Sequence, residues 1–270
     1  MNTTKKLMTL LLVLLALTAC QDEPKSGKSS IETITVNGVS FNMVKVRGGS
    51  LTMYMDLITP SYVHYQDSTL DVTLADYRIG QTEVTQGLWL AVMGSNPSYF
   101  SSSSMAEQDI EFEDDLNRPV ELVWWEDCQA FIEKLNELTG RHFRIPTDAE
   151  WEFAARGGNK THHYTYAGSD DIDEVAWSQE NSGGMTHPVG QKKPNELGLY
   201  DMSGNVCELC LDSFQSYEFD GTSYIIGISR GGSYSKNCTV WNHGWLAYYG
   251  DGTYGMFRER ASSIGLRLAE

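Results

Sequence analysis

The chain contains 270 residues, of which 41% are hydrophobic, 11% are aromatic and 21% are charged. This composition supports a folded core and excludes an intrinsically disordered chain. The formal net charge of −16 argues against nucleic acid or an anionic membrane surface as the partner, because both would repel the protein. Cations, basic partners and a merely solvated acidic surface are all compatible with this charge.

The first twenty residues have the pattern of an export signal. Lys5 and Lys6 form a basic start, and the apolar run from Leu7 to Leu17 is too short to span a bilayer. The run ends in the sequence Leu17-Thr18-Ala19-Cys20, which resembles a bacterial lipoprotein signal. In such signals the cysteine is acylated and becomes the first residue of the mature protein, so we predict lipidation at Cys20.

This signal divides the chain into three parts. We predict a signal peptide at residues 1–19, a flexible polar tether at 20–32 and one folded domain at 33–270, without repeats. The protein is then expected in the cell envelope, held by its lipid anchor in the outer membrane and facing either the periplasm or the surface. An ordinary cleaved signal peptide is the alternative.

Four cysteines remain after Cys20, namely Cys128, Cys207, Cys210 and Cys238. Disulfides are permitted in the envelope, but four cysteines are too few for a disulfide scaffold in a chain of this length. The Cys207-x-x-Cys210 spacing is also found in redox and metal sites. A redox motif of this kind normally opens a helix, which lowers the pKa of its thiol. Here the motif closes a segment that is predicted to be extended.

The first part of the domain has the pattern of short strands. The Asn37-Gly38 pair between two apolar runs predicts a hairpin. Another short strand is predicted around Leu51 and Met53, followed by irregular structure over residues 54–68. The alternating Leu70, Val72 and Leu74 then predict a further strand.

Three helices are predicted in the middle of the chain. The first follows Thr85 as its N-cap and ends at Gly94. The second contains Cys128, Phe131, Ile132, Leu135 and Leu138 at helical spacing and ends at Gly140. The third begins with the capping box Thr147 to Glu150 and ends at Gly157-Gly158. Residues 101–118 are predicted to form an exposed loop, and only short strands are expected after the third helix.

The segment from Asn195 to Cys210 has the composition of a calcium loop. Asp201 and Glu208 flank a turn formed by residues 203–205, and a turn between carboxylates can direct its carbonyl oxygens toward a cation. The alternative is a strand, a tight turn and a second strand, with both acids in solvent.

Seven segments of the chain resemble the formylglycine-generating enzyme (sulfatase-modifying factor) family. They are Thr82–Gln86, Val92–Ser98, Leu135–Gly140, Arg144–Glu152, Gly198–Val206, Arg230–Ser233 and Gly265–Leu268. The resemblance runs in order from about Val44 to Ala269, which is most of the mature chain. It implies an α+β domain, a variation of the C-type lectin fold with little regular secondary structure.

The resemblance also implies a ligand set for calcium. In the family, the side chains at the positions of Asp201 and Glu208 bind a structural calcium ion, and the backbone carbonyls at the positions of Gly204 and Val206 complete the protein ligands. Oxygen ligands of this mixture suit calcium. A second calcium site in the family begins at an asparagine similar to Asn181, but the loop with its other ligands is shorter here.

The family's catalytic site is not reproduced in this sequence. Formylglycine-generating enzymes oxidise a sulfatase cysteine with oxygen, using copper(I) held by two thiolates that follow the serine of a Gly-Gly-Ser motif by three and eight residues. Counted from Ser233, these positions are Lys236 and Trp241. A deletion of three residues would bring Cys238 to the second position, but the first thiol is still missing. We therefore predict a non-catalytic member without copper; the alternative is a formylglycine-generating oxidase.

The segment after Ser233 is instead rich in Tyr, Trp, Asn and Gly, which recognition loops use for rigid contact area and adaptable hydrogen bonding. We predict that it binds a protein or glycan ligand at the envelope. The candidate ligand-binding residues are Tyr234, Trp241, Asn242, Trp245, Tyr248 and Tyr249. The alternative is that these aromatic residues pack the core beneath the calcium loop.

Overall fold

The computed structural model describes residues 30–59, 62–104, 115–211, 215–219, 222–236, 238–240, 243–249 and 261–270. The predicted signal peptide and Cys20, the predicted lipidation site, lie outside these residues. Within them, no helix is both long enough and apolar enough to cross a membrane.

The first sheet contains three antiparallel strands in the order β1-β2-β5. Strand β1 spans Ile31–Val36, β2 spans Val39–Val46 and β5 spans Tyr77–Gly80. The predicted hairpin is confirmed, because Asn37 and Gly38 connect β1 to β2 with φ angles of 46° and 84°. Strand β1 begins at Ile31, so it includes the last two residues of the predicted tether.

The edge of this sheet is joined to the middle of the chain by ion pairs. Arg141 donates to Glu32 on β1 at 2.7 Å and also contacts Glu270. Arg78 on β5 contacts the same two carboxylates, with its Nε lying 3.1 Å from Glu32. The start of β1 is therefore held by two arginines from other elements.

A long hairpin replaces the irregular structure predicted for residues 54–68. Strand β3 spans Ser50–Thr59, β4 spans Tyr62–Thr73, and the two pair only with each other in the described chain. The prediction was wrong because the pairing contains a register shift between Met55 and Leu57, which breaks a simple alternation along the pair. Backbone hydrogen bonds across the hairpin still maintain both strands.

The third sheet contains the last five strands. They are β6 (Cys207–Leu209), β7 (Gln215–Phe219), β8 (Thr222–Arg230), β9 (His243–Tyr249) and β10 (Ile264–Gly265). Strand β8 is central: it pairs antiparallel with β6, β7 and β9, while β10 pairs parallel with β6. Strand β8 has nine residues, which exceeds the short strands predicted here, because partners on both sides provide its hydrogen bonds.

Four helices are present in the described chain. Helix α1 spans Gln86–Met93, α2 spans Trp125–Thr139, α3 spans Asp148–Ala155 and the single-turn α4 spans Ile172–Val175. The first three confirm the helices predicted from the sequence.

The predicted helix caps are also present. The Thr85 side chain accepts a hydrogen bond from the backbone of the first turn of α1, and Gly94 and Gly140 end their helices with φ angles of 82° and 66°. Thr147 forms the predicted capping box with Glu150 at the start of α3.

Two large hydrophobic clusters form most of the core, and a small third cluster contains Val175, Ala176 and Cys238. One packs α1 and α2 against the first sheet, with the rings of Trp89 and Phe131 stacked 4.7 Å apart. The other surrounds Trp151 of α3 and contains residues of the segment that precedes β6. Residues 105–114 of the loop predicted to be exposed lie outside the described residues. Arg118 at the end of that loop is not exposed, because it is 6% accessible and donates to the Thr186 carbonyl oxygen.

Candidate functional site

The segment from Asn195 to Cys210 is folded tightly onto helix α3. The Asn195 amide donates to the Ala154 carbonyl oxygen and accepts the backbone N–H of Leu197. Asp201 and Glu208 are 2% and 0% exposed, so the alternative with both acids in solvent is wrong. The turn places Asp201, Gly204 and Asn205 in the left-handed region, with φ angles of 55°, 87° and 58°.

Glu208 lies in a buried ion pair. Arg267 donates to both of its oxygens, through Nε to Oε2 at 2.8 Å and through Nη2 to Oε1 at 2.6 Å. Trp151 Nε1 donates to Oε2 at 2.5 Å. Arg267 is fully buried and also donates to the carbonyl oxygens of Gly80 and Tyr200, each at 2.9 Å. Arg267, which follows β10, therefore connects Gly80 at the end of β5 and Glu208 on β6 with the loop at Tyr200.

A third carboxylate, which the sequence analysis did not select, faces the same loop. Glu83 is 2% exposed and accepts the Asn205 amide at 2.9 Å and the Val206 backbone N–H at 3.1 Å. Burial raises the pKa of Glu83 well above its usual range, and the nearby Asp201 and Glu208 raise it further. The only sequence signal for Glu83 and Arg267 was their presence in two of the family-like segments.

One carboxylate oxygen of Asp201 accepts a hydrogen bond, and the other has no hydrogen-bond partner. Its Oδ2 accepts the Gly190 backbone N–H at 2.7 Å, while its Oδ1 is buried without a hydrogen-bond partner. Burial raises the pKa of Asp201 to about 6, although the Gly190 hydrogen bond opposes this shift. A buried carboxylate oxygen without a partner is unfavourable unless a cation, a proton or water satisfies it.

The residues present are compatible with a calcium ion. Glu83, Asp201 and Glu208 bring three carboxyl groups together with one guanidinium, that of Arg267, so the acidic groups outnumber the nearby cation. Asp201 Oδ1 is available, and Glu208 Oε1 accepts only the hydrogen bond from Arg267 among those described. No group of three His, Cys, Asp or Glu side chains in the described chain is arranged to hold a metal. The predicted set uses only two side chains with two carbonyls, so it stays a prediction.

Asn181, the possible first ligand of a second calcium site, is engaged locally. Its Oδ1 accepts the Ser178 backbone N–H at 2.8 Å, and its Nδ2 donates to Asp173 and to the Ala176 carbonyl oxygen. These bonds close the loop after α4, which gives Asn181 a structural role there.

The four cysteines Cys128, Cys207, Cys210 and Cys238 are all buried and form no disulfide. Burial raises the pKa of the Cys207 thiol and raises that of Cys238 to about 12. Cys207 begins strand β6 and Cys210 follows its end, so the Cys-x-x-Cys motif does not open a helix. These surroundings disfavour the thiolate form that redox and copper chemistry need.

The candidate ligand residues fall into three groups. Trp241 and Asn242 lie outside the described residues. Trp245, Tyr248 and Tyr249 belong to β9, where the register pairs Trp245 with Ile228 and Tyr249 with Tyr224.

Tyr234 is half-buried and hydrogen-bonded to the segment from Asn195 to Cys210. Its backbone N–H donates to the Asn205 carbonyl oxygen at 2.9 Å, and its hydroxyl shares a hydrogen bond with Ser262 Oγ at 2.9 Å. Its ring meets the Phe100 ring edge-on, with centroids 5.3 Å apart. Tyr234 therefore connects the Gly-Gly-Ser turn to the loop that carries Phe100.

The loop that carries Phe100 is hydrogen-bonded to the buried carboxyl group of Glu121. The Phe100 backbone N–H donates to Glu121 Oε1 at 2.8 Å, whereas Glu121 Oε2 is buried without a hydrogen-bond partner. Burial raises the pKa of Glu121 to about 7, against the opposing effect of backbone hydrogen bonds from Phe100 and Tyr99.

We expect Glu121→Gln to flatten the pH dependence of stability between pH 4.5 and 7. In this window folded Glu121 keeps a proton that the unfolded chain, with its ordinary value of 4.5, has released. Folding therefore takes up a proton, and wild-type stability falls as the pH rises, by an amount on the order of 1–3 kcal/mol from this group. Urea unfolding at a series of pH values measures the slope. Glu126→Gln, at an exposed position on α2, is the matched control, and parallel curves for wild type and Glu121→Gln would contradict the prediction.

Comparison with known proteins agrees with this fold. Residues 30–270 match the family described as the sulfatase-modifying factor enzyme 1-like domain, and the chain belongs to this family. The α+β architecture predicted from the resemblance, the formylglycine-generating-enzyme variation of the C-type lectin fold, is thereby confirmed.

Three relatives illustrate the range of the family. The chain is 35% identical over 259 residues to the chaperone protein LppX of Paenibacillus barcinonensis, covering 77% of this chain and 84% of that protein. Its fold is similar to the solved structure of Treponema denticola variable protein 1, with a TM-score of 0.70, 29% identity, and coverage of 90% and 99% of the two chains. It is also 34% identical over 111 residues to the formylglycine-generating enzyme of Streptomyces coelicolor, but this match covers only 36% of this chain and 33% of that enzyme.

Proposed function

We propose that this protein is a lipid-anchored envelope protein whose sulfatase-modifying-factor-like domain binds a protein or glycan partner and performs no oxidation. One observation carries the proposal: the positions of the two copper-binding thiols are occupied by Lys236 and Trp241. Lys and Trp cannot provide the paired soft ligands that copper(I) requires. The buried Cys238, whose pKa is raised to about 12, does not replace them.

The relatives support a binding role. The match that covers most of both chains is to a protein named as a chaperone, and the structural neighbour with 90% coverage is named as a variable protein. Matches to named formylglycine-generating enzymes cover a much smaller part of this chain. The Tyr- and Trp-rich segment around β9 is the proposed ligand-binding face.

A copper titration together with a peptide-oxidation assay distinguishes the proposed binding function from the oxidase function. The purified mature chain is expected to bind no stoichiometric copper(I) and to leave the cysteine of a sulfatase-type peptide unchanged, as measured by mass spectrometry of the peptide. Conversion of that cysteine to the aldehyde with multiple turnovers would overturn the proposal.

Capture of a partner from the native envelope tests the binding role directly. We expect the triple variant Trp241→Ala/Trp245→Ala/Tyr248→Ala to lose capture while its melting temperature stays near that of the wild type. Tyr99→Ala, which removes an aromatic side chain that is 41% exposed outside this segment, is the matched control and should capture normally. A large fall in melting temperature of the triple variant would instead support the alternative in which these residues pack the core.

We further propose that calcium binds between Asp201 and Glu208 and stabilises the loop. The carbonyls of Gly204 and Val206 would complete the set, and the unpartnered Asp201 Oδ1 supports this assignment. The chemistry that calcium supplies here is charge neutralisation of buried carboxylates, without a catalytic step.

Calcium is therefore expected to raise the melting temperature of chelator-treated protein. A ligand present at about 100 times its Kd stabilises the folded state by about 2.7 kcal/mol. Asp201→Ala should abolish the increase, while Asp201→Asn should retain part of it because an amide oxygen can still ligate. A wild-type melting temperature that is unchanged by calcium would refute the assignment, whatever the result of the partner experiment.

A further inference from the structure

A second surface, along one flank of α2 where the core reaches the surface, has the chemistry of a docking site. A groove of about 690 Å³ runs between α2 and the segment that follows it. Its apolar lining consists of Trp125, Ile132, Phe143, Ile145 and Leu211. Leu211 is 40% exposed, so it presents an apolar side chain at the edge of the groove.

The rim of this groove is acidic. Glu133 and Glu137 are exposed, line the groove and lie four residues apart on one face of α2. Like charges at this spacing destabilise a helix by about 0.2–0.5 kcal/mol. Neither carboxylate forms an ion pair with another residue in the described part of the chain.

The two arginines near the groove are already paired with other acids. Arg144 lines the groove, but both of its terminal nitrogens donate to Glu150 at 2.6 Å. Arg141, just beyond the end of α2, is paired with Glu32 and Glu270. These two arginines therefore do not neutralise the acidic rim.

We infer that this groove binds a basic amphipathic segment of a partner protein, with its apolar side chains in the groove and its Lys or Arg side chains against Glu133 and Glu137. Apolar anchors in a groove supply affinity, and complementary charges at the rim set orientation and association rate. An anionic membrane surface does not fit, because the same carboxylates would repel it. This site is separate from the proposed ligand face around β9 and does not depend on it.

The test uses two short synthetic peptides with the same leucine positions, one with lysine and one with glutamate at its polar positions. The mature wild-type chain is expected to bind the lysine peptide and not the glutamate peptide, as measured by fluorescence anisotropy. Glu133→Lys/Glu137→Lys should weaken the lysine peptide by about tenfold or more, equivalent to about 1.4 kcal/mol. Leu211→Ser should weaken it as well, which a purely electrostatic attraction would not predict.

The control variant is Asp71→Lys/Glu180→Lys, which makes the same charge change at two exposed positions that do not line the groove. Its affinity for the lysine peptide should remain near that of the wild type. Hydrogen exchange of the wild-type complex should show protection in α2 and in residues 143–145. Equal losses in both double variants, or protection confined to other elements, would overturn the inference. Self-association of the mature chain that Glu133→Lys/Glu137→Lys abolishes would overturn it too, because a second copy would then be the occupant.

Discussion

Replacing Arg267 by methionine is expected to lower the free energy of unfolding by about 3–5 kcal/mol. The fully buried guanidinium donates to both oxygens of Glu208 and to the carbonyl oxygens of Gly80 and Tyr200. Methionine fills much of the volume but leaves Glu208 buried without its cation and leaves two carbonyls without these donors. Small domains have a total stability of about 5–15 kcal/mol, so the loss is a large fraction of it.

Urea unfolding measures this loss of unfolding free energy, and two further variants show whether it comes from the buried ion pair. The double variant Arg267→Met/Glu208→Gln should regain part of the stability, because the uncompensated charge is gone. Arg78→Met removes an arginine whose side chain is 43% exposed and whose ion pairs contribute about 1 kcal/mol or less. An Arg267→Met loss no greater than that of Arg78→Met would contradict the role given to the buried pair.

Gly204→Ala is expected to cost about 4 kcal/mol or more, or to prevent folding. A Cβ at this position would lie 2.3 Å from the Trp177 carbonyl oxygen, and the backbone has a φ of +87° that alanine rarely adopts. Trp177 and Gly204 form a parallel bridge, so the two backbones cannot separate without breaking it.

Gly198→Ala separates the two contributions to this cost. Gly198 has a φ of +81°, but a Cβ there would meet nothing within 4 Å. Its substitution should therefore cost only the left-handed strain, about 1–2 kcal/mol. Similar losses for both variants in urea unfolding would mean that the contact with Trp177 does not limit substitution at Gly204.

The features that could be predicted from sequence were those with local causes. The Asn37-Gly38 turn, the Thr85 and Thr147 caps and the Gly140 terminus each depend on residues within a few positions of one another. The hairpin of β3 and β4 was missed because its strands are maintained by pairing across a bulge, which one-dimensional alternation does not show.

The site was predictable only in part, for a related reason. Asp201 and Glu208 are close in sequence and could be recognised together. Arg267 lies 59 positions from Glu208, and Glu83 lies 122 positions from Asn205, so neither pairing has a local signature. Burial was the other missing fact: it excludes the alternative in which Asp201 and Glu208 lie in solvent.

The ion pairs at the start of β1 have a mechanical consequence. If the protein is anchored through Cys20, as proposed, any pulling force reaches the domain at Ile31. This is the open end of the β1–β2 hairpin, so such a force would peel the strands apart one residue pair at a time, beginning with Ile31 and Val44. Arg141 and Arg78 form ion pairs with Glu32 at the next position, and Arg141 lies just beyond the end of α2. Each pair contributes about 1 kcal/mol or less, so they would add modestly to the force needed to separate the first residue pairs and would connect the start of β1 to the end of α2.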